Sequence, residues 1–193
     1  MRIDHLAFRV KNRKSTTKFL IDALKYKIQT EFDIKFDDGT KAECIALEPP
    51  EKQLNGVPWT TICDPVVYHQ IKEKNTWEGQ WAKNQEYHLP PEIFVSDGEP
   101  NSIVGKWVAD RNGIGGLHHI AYMVDSVKET MNEWKEKGYA EFLTEEPLAC
   151  PGLTQVFTRP SELTGVIYEF IERENEGFCA ENVKDLMVST KEI

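Results

Sequence analysis

His5 and His119 stand 114 residues apart, each at the same place in a matched stretch of sequence. Ile3-Asp4-His5-Leu6-Ala7-Phe8-Arg9-Val10 aligns with Leu117-His118-His119-Ile120-Ala121-Tyr122-Met123-Val124. His5 falls on His119, Ala7 on Ala121 and Val10 on Val124. A strand sends successive side chains to opposite faces. Leu6, Phe8 and Val10 then pack on a helix, while His5, Ala7 and Arg9 point to the concave side. In the second stretch His119, Ala121 and Met123 do the same. A carboxylate joins the two imidazoles from Gly165 to Glu172, where Glu169 shares a face with Ile167 and Ile171. An ionised carboxylate between two such residues is costly unless something pairs with it. Two imidazoles and a carboxylate form a mixed N/O set that suits Fe(II), Mn(II), Co(II), Ni(II) or Zn(II). With three ligands the set is a facial triad with open positions. A fourth would still leave room for a substrate that chelates through two oxygens.

Four further residues are candidates. Glu92 heads a strand-like run, Glu92 to Ser96, and pseudo-symmetry puts it opposite Glu169 as a fourth metal ligand. His88 is the alternative. Glu43, in Glu43-Cys44-Ile45-Ala46, matches Gln155, in Gln155-Val156-Phe157-Thr158. Both are expected one strand inward from the ligands, placed to support them or to move a proton. His118 has the parity of the packing face and reads as structural, and His69 as exposed. Trp59, Trp77, Trp81 and Trp107 read as core or lid packing.

The elements that position these residues form a repeat. After the first strand, Ser15 to Tyr26 carries apolar residues at helical spacing. After the second, Asp125-Ser126 supplies an N-cap, Val127, Met131 and Trp134 line one helix face, and Gly138 ends the helix. Strand-like runs follow each helix: Lys27 to Asp33, Lys41 to Leu47 and Glu92 to Ser96, then Ala140 to Thr144, Leu153 to Thr158 and Gly165 to Glu172. Each copy reads β-α-β-β-β, which predicts an α+β protein of two paired βαβββ modules. The expected organisation is one domain over residues 1–193. Residues 1–102 form the first module, with a long insertion at 48–91 that holds a possible short helix at 68–74. Residues 103–173 form a linker and the second module, and 174–193 a lid-like tail with a short helix from Asn182 to Met187.

Composition bounds the function. The 193 residues carry a net charge of −9, which repels phosphate backbones and argues against nucleic acid as a partner. No apolar run approaches the roughly 20 residues that a membrane span needs. Asp4, His5 and Arg9 keep the first segment from being a signal-peptide core. Cys44, Cys63, Cys150 and Cys179 form no C-x-x-C pair, so free thiols in a reducing cytoplasm are expected.

A βαβββ repeat with a first-strand His in each copy and a Glu on the final strand resembles the vicinal oxygen chelate (glyoxalase-like) superfamily. The resemblance covers Met1 to about Leu47 and Glu92 to Arg173 and implies a half-open barrel around a metal site. Lys106 to Gly113, through Gly116 to Ala121, looks like methylmalonyl-CoA epimerase. There the matching His5, His119 and Glu169 are ligands, a Gln stands where this chain has Glu92, and a Glu matching Glu43 is implicated as a base. Gln155 to Pro160, Tyr168 to Arg173 and the tail Gly177 to Lys184 look like the catalytic domain of 4-hydroxyphenylpyruvate dioxygenase. There the ligands fall on His5, His119 and Glu169, and a Gln matching Gln155 lies near the substrate. The C-terminal helix of that family covers the site.

The resemblance therefore implies a metal-dependent enzyme, with an Fe(II) dioxygenase acting on a small oxo acid favoured. The alternative is an epimerase, or glyoxalase-like isomerase or lyase, that works through a metal-stabilised enolate and takes an acyl-CoA. A third reading is a non-catalytic small-molecule binder. Proteins of this superfamily often form homodimers.

Overall fold

The structure, a computed structural model, describes residues 2–49, 53–54, 57–58, 91–174, 178–191 and 193. Along the chain run β1 (Arg2–Val10), α1 (Arg13–Leu24), β2 (Lys27–Lys35) and β3 (Lys41–Glu48). After the insertion come β4 (Glu92–Gly98), α2 (Ile103–Ala109), β5 (Gly115–Met123) and α3 (Val127–Glu136). The chain closes with β6 (Leu148–Cys150), β7 (Leu153–Phe157), β8 (Ile167–Arg173) and α4 (Ala180–Ser189). A separate two-residue ladder pairs Gln53–Leu54 with Val57–Pro58.

The two matched stretches become the central antiparallel pair, β1 against β5. Each is flanked by a parallel strand, β4 beside β1 and β8 beside β5, and then by antiparallel ones. The sheet order is β2-β3-β4-β1-β5-β8-β7-β6, so the two halves repeat about the centre and the sheet curls into a half-barrel.

Helices α1 and α3 cover the convex face. The Asn12 side chain accepts from Ser15 N at 2.9 Å and that of Ser126 from Glu129 N at 3.2 Å, each capping a first turn. Leu20 of α1 packs on Ile45, Leu47, Ile93 and Val95. Val127 and Met131 of α3 pack on Val124, Val156 and Phe170. The concave face has its own core, where Ala7, Ala42, Cys44 and Ala46 leave room for Trp107 of α2 and Val183 and Met187 of α4.

Several local expectations shift. The linker contains α2, capped by the Ser102 hydroxyl accepting from Gly105 N at 3.1 Å. Gly105 packs against the Glu99 carbonyl, where a Cβ would collide. The tail helix is longer than Asn182 to Met187. The strand expected over 140–144 is absent: Phe142 makes only an isolated bridge to Thr158, and β6 forms the edge instead. Phe142 and Leu143 of that segment still pack on the cores that hold Phe170 and Phe157, so apolar contact keeps it against the sheet without a strand ladder. The helix expected at 68–74, His69, His88, Cys63, Trp59, Trp77 and Trp81 lie outside the described residues. Cys44, Cys150 and Cys179 are free thiols. Among the described residues no helix is long and apolar enough to cross a membrane.

Candidate metal centre

The β1–β5 pair is not a regular ladder. Ile3 pairs with Tyr122 but Leu6 with Ile120, and Ala7 pairs with His119 but Phe8 with Leu117. Each strand therefore carries one extra residue, at Asp4–His5 in β1 and at His118 in β5. A bulge breaks strict alternation and re-aims side chains. As a result Asp4 and His5 are both buried beside the cluster, and so are His118 and His119. The packing-face parity expected of His118 fails for this reason, and its ring lies on the cavity side, edge-on to Trp107.

His5, His119 and Glu169 converge. His5 Nε2 lies 3.2 Å from His119 Nε2 and 3.3 Å from Glu169 Oε2, and His119 Nε2 lies 3.1 Å from the same oxygen. All three side chains are buried. Ligand atoms about 2.1 Å from one cation stand about 3.0 Å apart at neighbouring octahedral corners and about 3.4 Å apart in a tetrahedron. The observed spacings fall between these values, so one divalent ion fits the donor set.

Surrounding groups fix each donor. His5 Nδ1 donates to Asp4 Oδ1 at 2.7 Å, and Arg173 Nη2 donates to the same oxygen at 2.6 Å. That bond leaves the Nε2 lone pair of His5 facing the cluster. His119 Nδ1 lies 2.8 Å from His118 Nδ1, which likewise directs its Nε2 inward. Gln155 Nε2 donates to Glu169 Oε1 at 2.6 Å.

The electrostatics follow from burial and proximity. Burial alone would push the His5 imidazole down, but the Glu169 and Asp4 carboxylates prevail and raise it to about 9. Burial prevails at His119 and lowers it, even against Glu169. Burial opposes the Glu169 charge, yet the two imidazoles hold its carboxyl well below the usual range. The shifts, up at His5 and down at Glu169, are those of a positive charge favoured beside a negative one.

Glu92 and Glu43 are not brought into this cluster. His5 registers with Glu92 and Ala7 with Phe94 on β4, while His119 registers with Ile167 and Ala121 with Glu169 on β8. The counterpart of Glu169 is thus Phe94, and Glu92 sits two residues short. Its Oε1 accepts from Gln29 Nε2 at 3.0 Å, and burial raises its pKa. The Glu43 match to Gln155 is displaced by one. Gln155 registers with Ile171 and Cys44 with Ser96, so Cys44 is the counterpart of Gln155. One residue of slip turns a side chain to the other face. Glu43 lies on the convex side, held by Arg13 Nη2 at 3.3 Å and Lys41 Nζ at 2.7 Å.

The cluster opens on a narrow cavity of about 30 Å³. Phe94, Phe157 and Phe178 wall it, and Val183, Leu186 and Met187 of α4 cover it. The Phe178 ring packs edge-on to His5, with centroids 5.1 Å apart. Gln155 Oε1 is buried without a hydrogen-bond partner. Arg9 also lines the cavity, although the motif assigned it no role.

No protein-family model matches the sequence, and no curated protein is detectably similar to it. The likeness is to solved structures. A triple mutant of 4-hydroxymandelate synthase from Streptomyces coelicolor is 16% identical at a TM-score of 0.67. The match covers 98% of this chain and 53% of that one, so this chain spans about half its length. Methylmalonyl-CoA epimerase from Mycobacterium tuberculosis is 14% identical at a TM-score of 0.55, over 90% of this chain and 89% of that one. A hypothetical protein from Bacillus halodurans is 20% identical at 0.55, over 92% and 98%. The fold is the vicinal oxygen chelate fold, as the sequence repeat implies.

Proposed function

We propose that the protein is a metal-dependent enzyme in which His5, His119 and Glu169 hold one divalent cation, with Fe(II) favoured, and that it is a dioxygenase acting on a small oxo acid. The observation that carries this reading is Phe94 in the counterpart position of Glu169, which leaves three converging donors among the described residues. A facial set of two imidazoles and one carboxylate with open positions is the donor set of non-haem Fe(II) oxygenases. Fe(II) bound there supplies the redox chemistry that couples an oxo acid to dioxygen.

The chain's own residues do the remaining work. Asp4 and Arg173 orient His5, His118 orients His119, and Gln155 steadies Glu169. The unpartnered Gln155 Oε1 offers an acceptor to a substrate hydroxyl or amide. The apolar walls and the α4 cover exclude water from the reacting end.

The epimerase reading needs a carboxylate beside the metal to move a proton. Its two candidates stand elsewhere, Glu43 on the convex side and Glu92 against Gln29.

The test is anaerobic reconstitution with Fe(II), followed by oxygen-uptake assays across a panel of oxo acids. One bound iron per chain and uptake with at least one acid is the expected result. No uptake with any acid, together with solvent-deuterium exchange into an acyl-CoA, would replace this reading with the epimerase one.

A further inference from the structure

Arg9 is a buried cation without a counter-ion among the described residues. It is 2% exposed and sits on the concave face of β1. Its Nη2 donates to Thr190 Oγ1 at 2.8 Å, while its Nη1 has no hydrogen-bond partner. Among the described residues no carboxylate pairs with it: the neighbouring buried arginines take the acids, Arg13 with Glu31 and Glu43, and Arg173 with Asp4. A charged group close to it is of like sign. The Arg111 guanidinium lies 3.7 Å from the centroid of Trp107, and Arg9 lies 5.7 Å from the same ring. Burial and Arg111 together lower the Arg9 pKa to about 9.

A desolvated guanidinium without a counter-ion is expensive, and among the described residues this one meets only a hydroxyl and the Trp107 ring. A second unpartnered polar atom, His118 Nε2, faces the same cavity. Its Nδ1 engages His119, so its Nε2 is free to meet a ligand oxygen.

We propose that Arg9 binds the carboxylate of a small organic acid at the end of the cavity away from the metal cluster. The inference rests on the proposed function in one respect: if the metal takes the oxo-acid end, the ligand is an oxo acid with a second, terminal carboxylate. Four residues of strand separate His5 and Arg9, about 13 Å between Cα atoms, so both side chains can reach opposite ends of one short ligand. One free guanidinium arm and one imidazole nitrogen suit a monoanionic carboxylate better than a phosphate dianion, which needs more donors.

The experiment compares oxo acids that differ only at the far end. The Mn(II)-loaded protein is titrated calorimetrically with 2-oxoglutarate and 2-oxoadipate, and with 2-oxopentanoate and 2-oxohexanoate, in which a methyl replaces the terminal carboxylate. At least one diacid should bind tenfold or more tighter than its methyl counterpart, as a charge-assisted hydrogen bond gives. Arg9→Met should erase that preference and leave affinity for the methyl-terminated acids within about threefold. The same comparison on metal-free protein uses glutarate against pentanoate, so a failure to load metal leaves the Arg9 inference tested on its own. Arg9→Gln serves if Arg9→Met does not fold. An Arg9-dependent preference for the second carboxylate in either form upholds the inference. Its absence from both, or its survival in the Arg9 variants, overturns it.

Discussion

Glu169 and Phe94 occupy equivalent places in the two halves of the sheet. Each registers against the alanine two residues beyond a cluster histidine, Ala121 for Glu169 and Ala7 for Phe94. One half thus contributes an imidazole and a carboxylate, and the other an imidazole and an aromatic wall. The Phe94 ring lies 6.5 Å from His5 and 5.0 Å from Phe178 between centroids, closing that side of the cluster with apolar surface. The asymmetry separates a three-donor site from a four-donor one.

Metal content should follow that division. Glu169→Gln is expected to reduce bound metal to about a tenth or less of wild type, because a neutral amide replaces the anionic donor of the cluster. Glu92→Gln should retain close to one ion per chain. Elemental analysis of both variants after reconstitution checks this.

The pH dependence of the metal-free protein should be unusual for a histidine site. His5 is raised from 6.5 to about 9 in the folded chain. Its contribution to stability is therefore fully present below about 6.5 and is lost as pH rises through about 9. Thermal melts of metal-free protein should show a falling Tm across that window. Metal competes with the same proton, so metal affinity should strengthen by roughly tenfold per pH unit over the same range. Chelator competition at several pH values measures it.

Asp4 is the buried carboxylate that orients His5, and Arg173 and His5 keep it ionised against its burial. Asp4→Asn should weaken metal binding by about 10- to 100-fold, as loss of an outer partner of a ligating histidine does. Chelator competition reads the affinity, and circular dichroism confirms that the fold is retained.

Glu43→Gln separates the two faces of β3. Glu43 is part-exposed and pairs with Arg13 and Lys41 on the convex side. Its loss should leave metal content and oxo-acid binding unchanged and cost only about 0.5–1 kcal/mol of stability. Urea denaturation measures the stability, and a large loss of activity would place Glu43 in the chemistry after all.

The sequence by itself determined the features that depend on local period. The matched histidines, the parity that turns Glu169 inward and Gln155 with it, and the two βαβββ units all follow from alternation and helical spacing within single segments. Helix α3 ends within a residue of its expected limit because Ser126 and Gly138 bracket it with local chemistry. Only the tertiary structure decided which residues on different strands lie side by side. Register across strands is set by loop lengths and bulges, not by the residues of one strand. A slip of one residue put Cys44, not Glu43, opposite Gln155, and a slip of two put Phe94, not Glu92, opposite Glu169. The bulge at His118 turned a third imidazole to the cavity, and the covering helices left Arg9 buried there without a carboxylate partner among the described residues. None of these outcomes is written in any one segment, because each depends on where two distant segments meet.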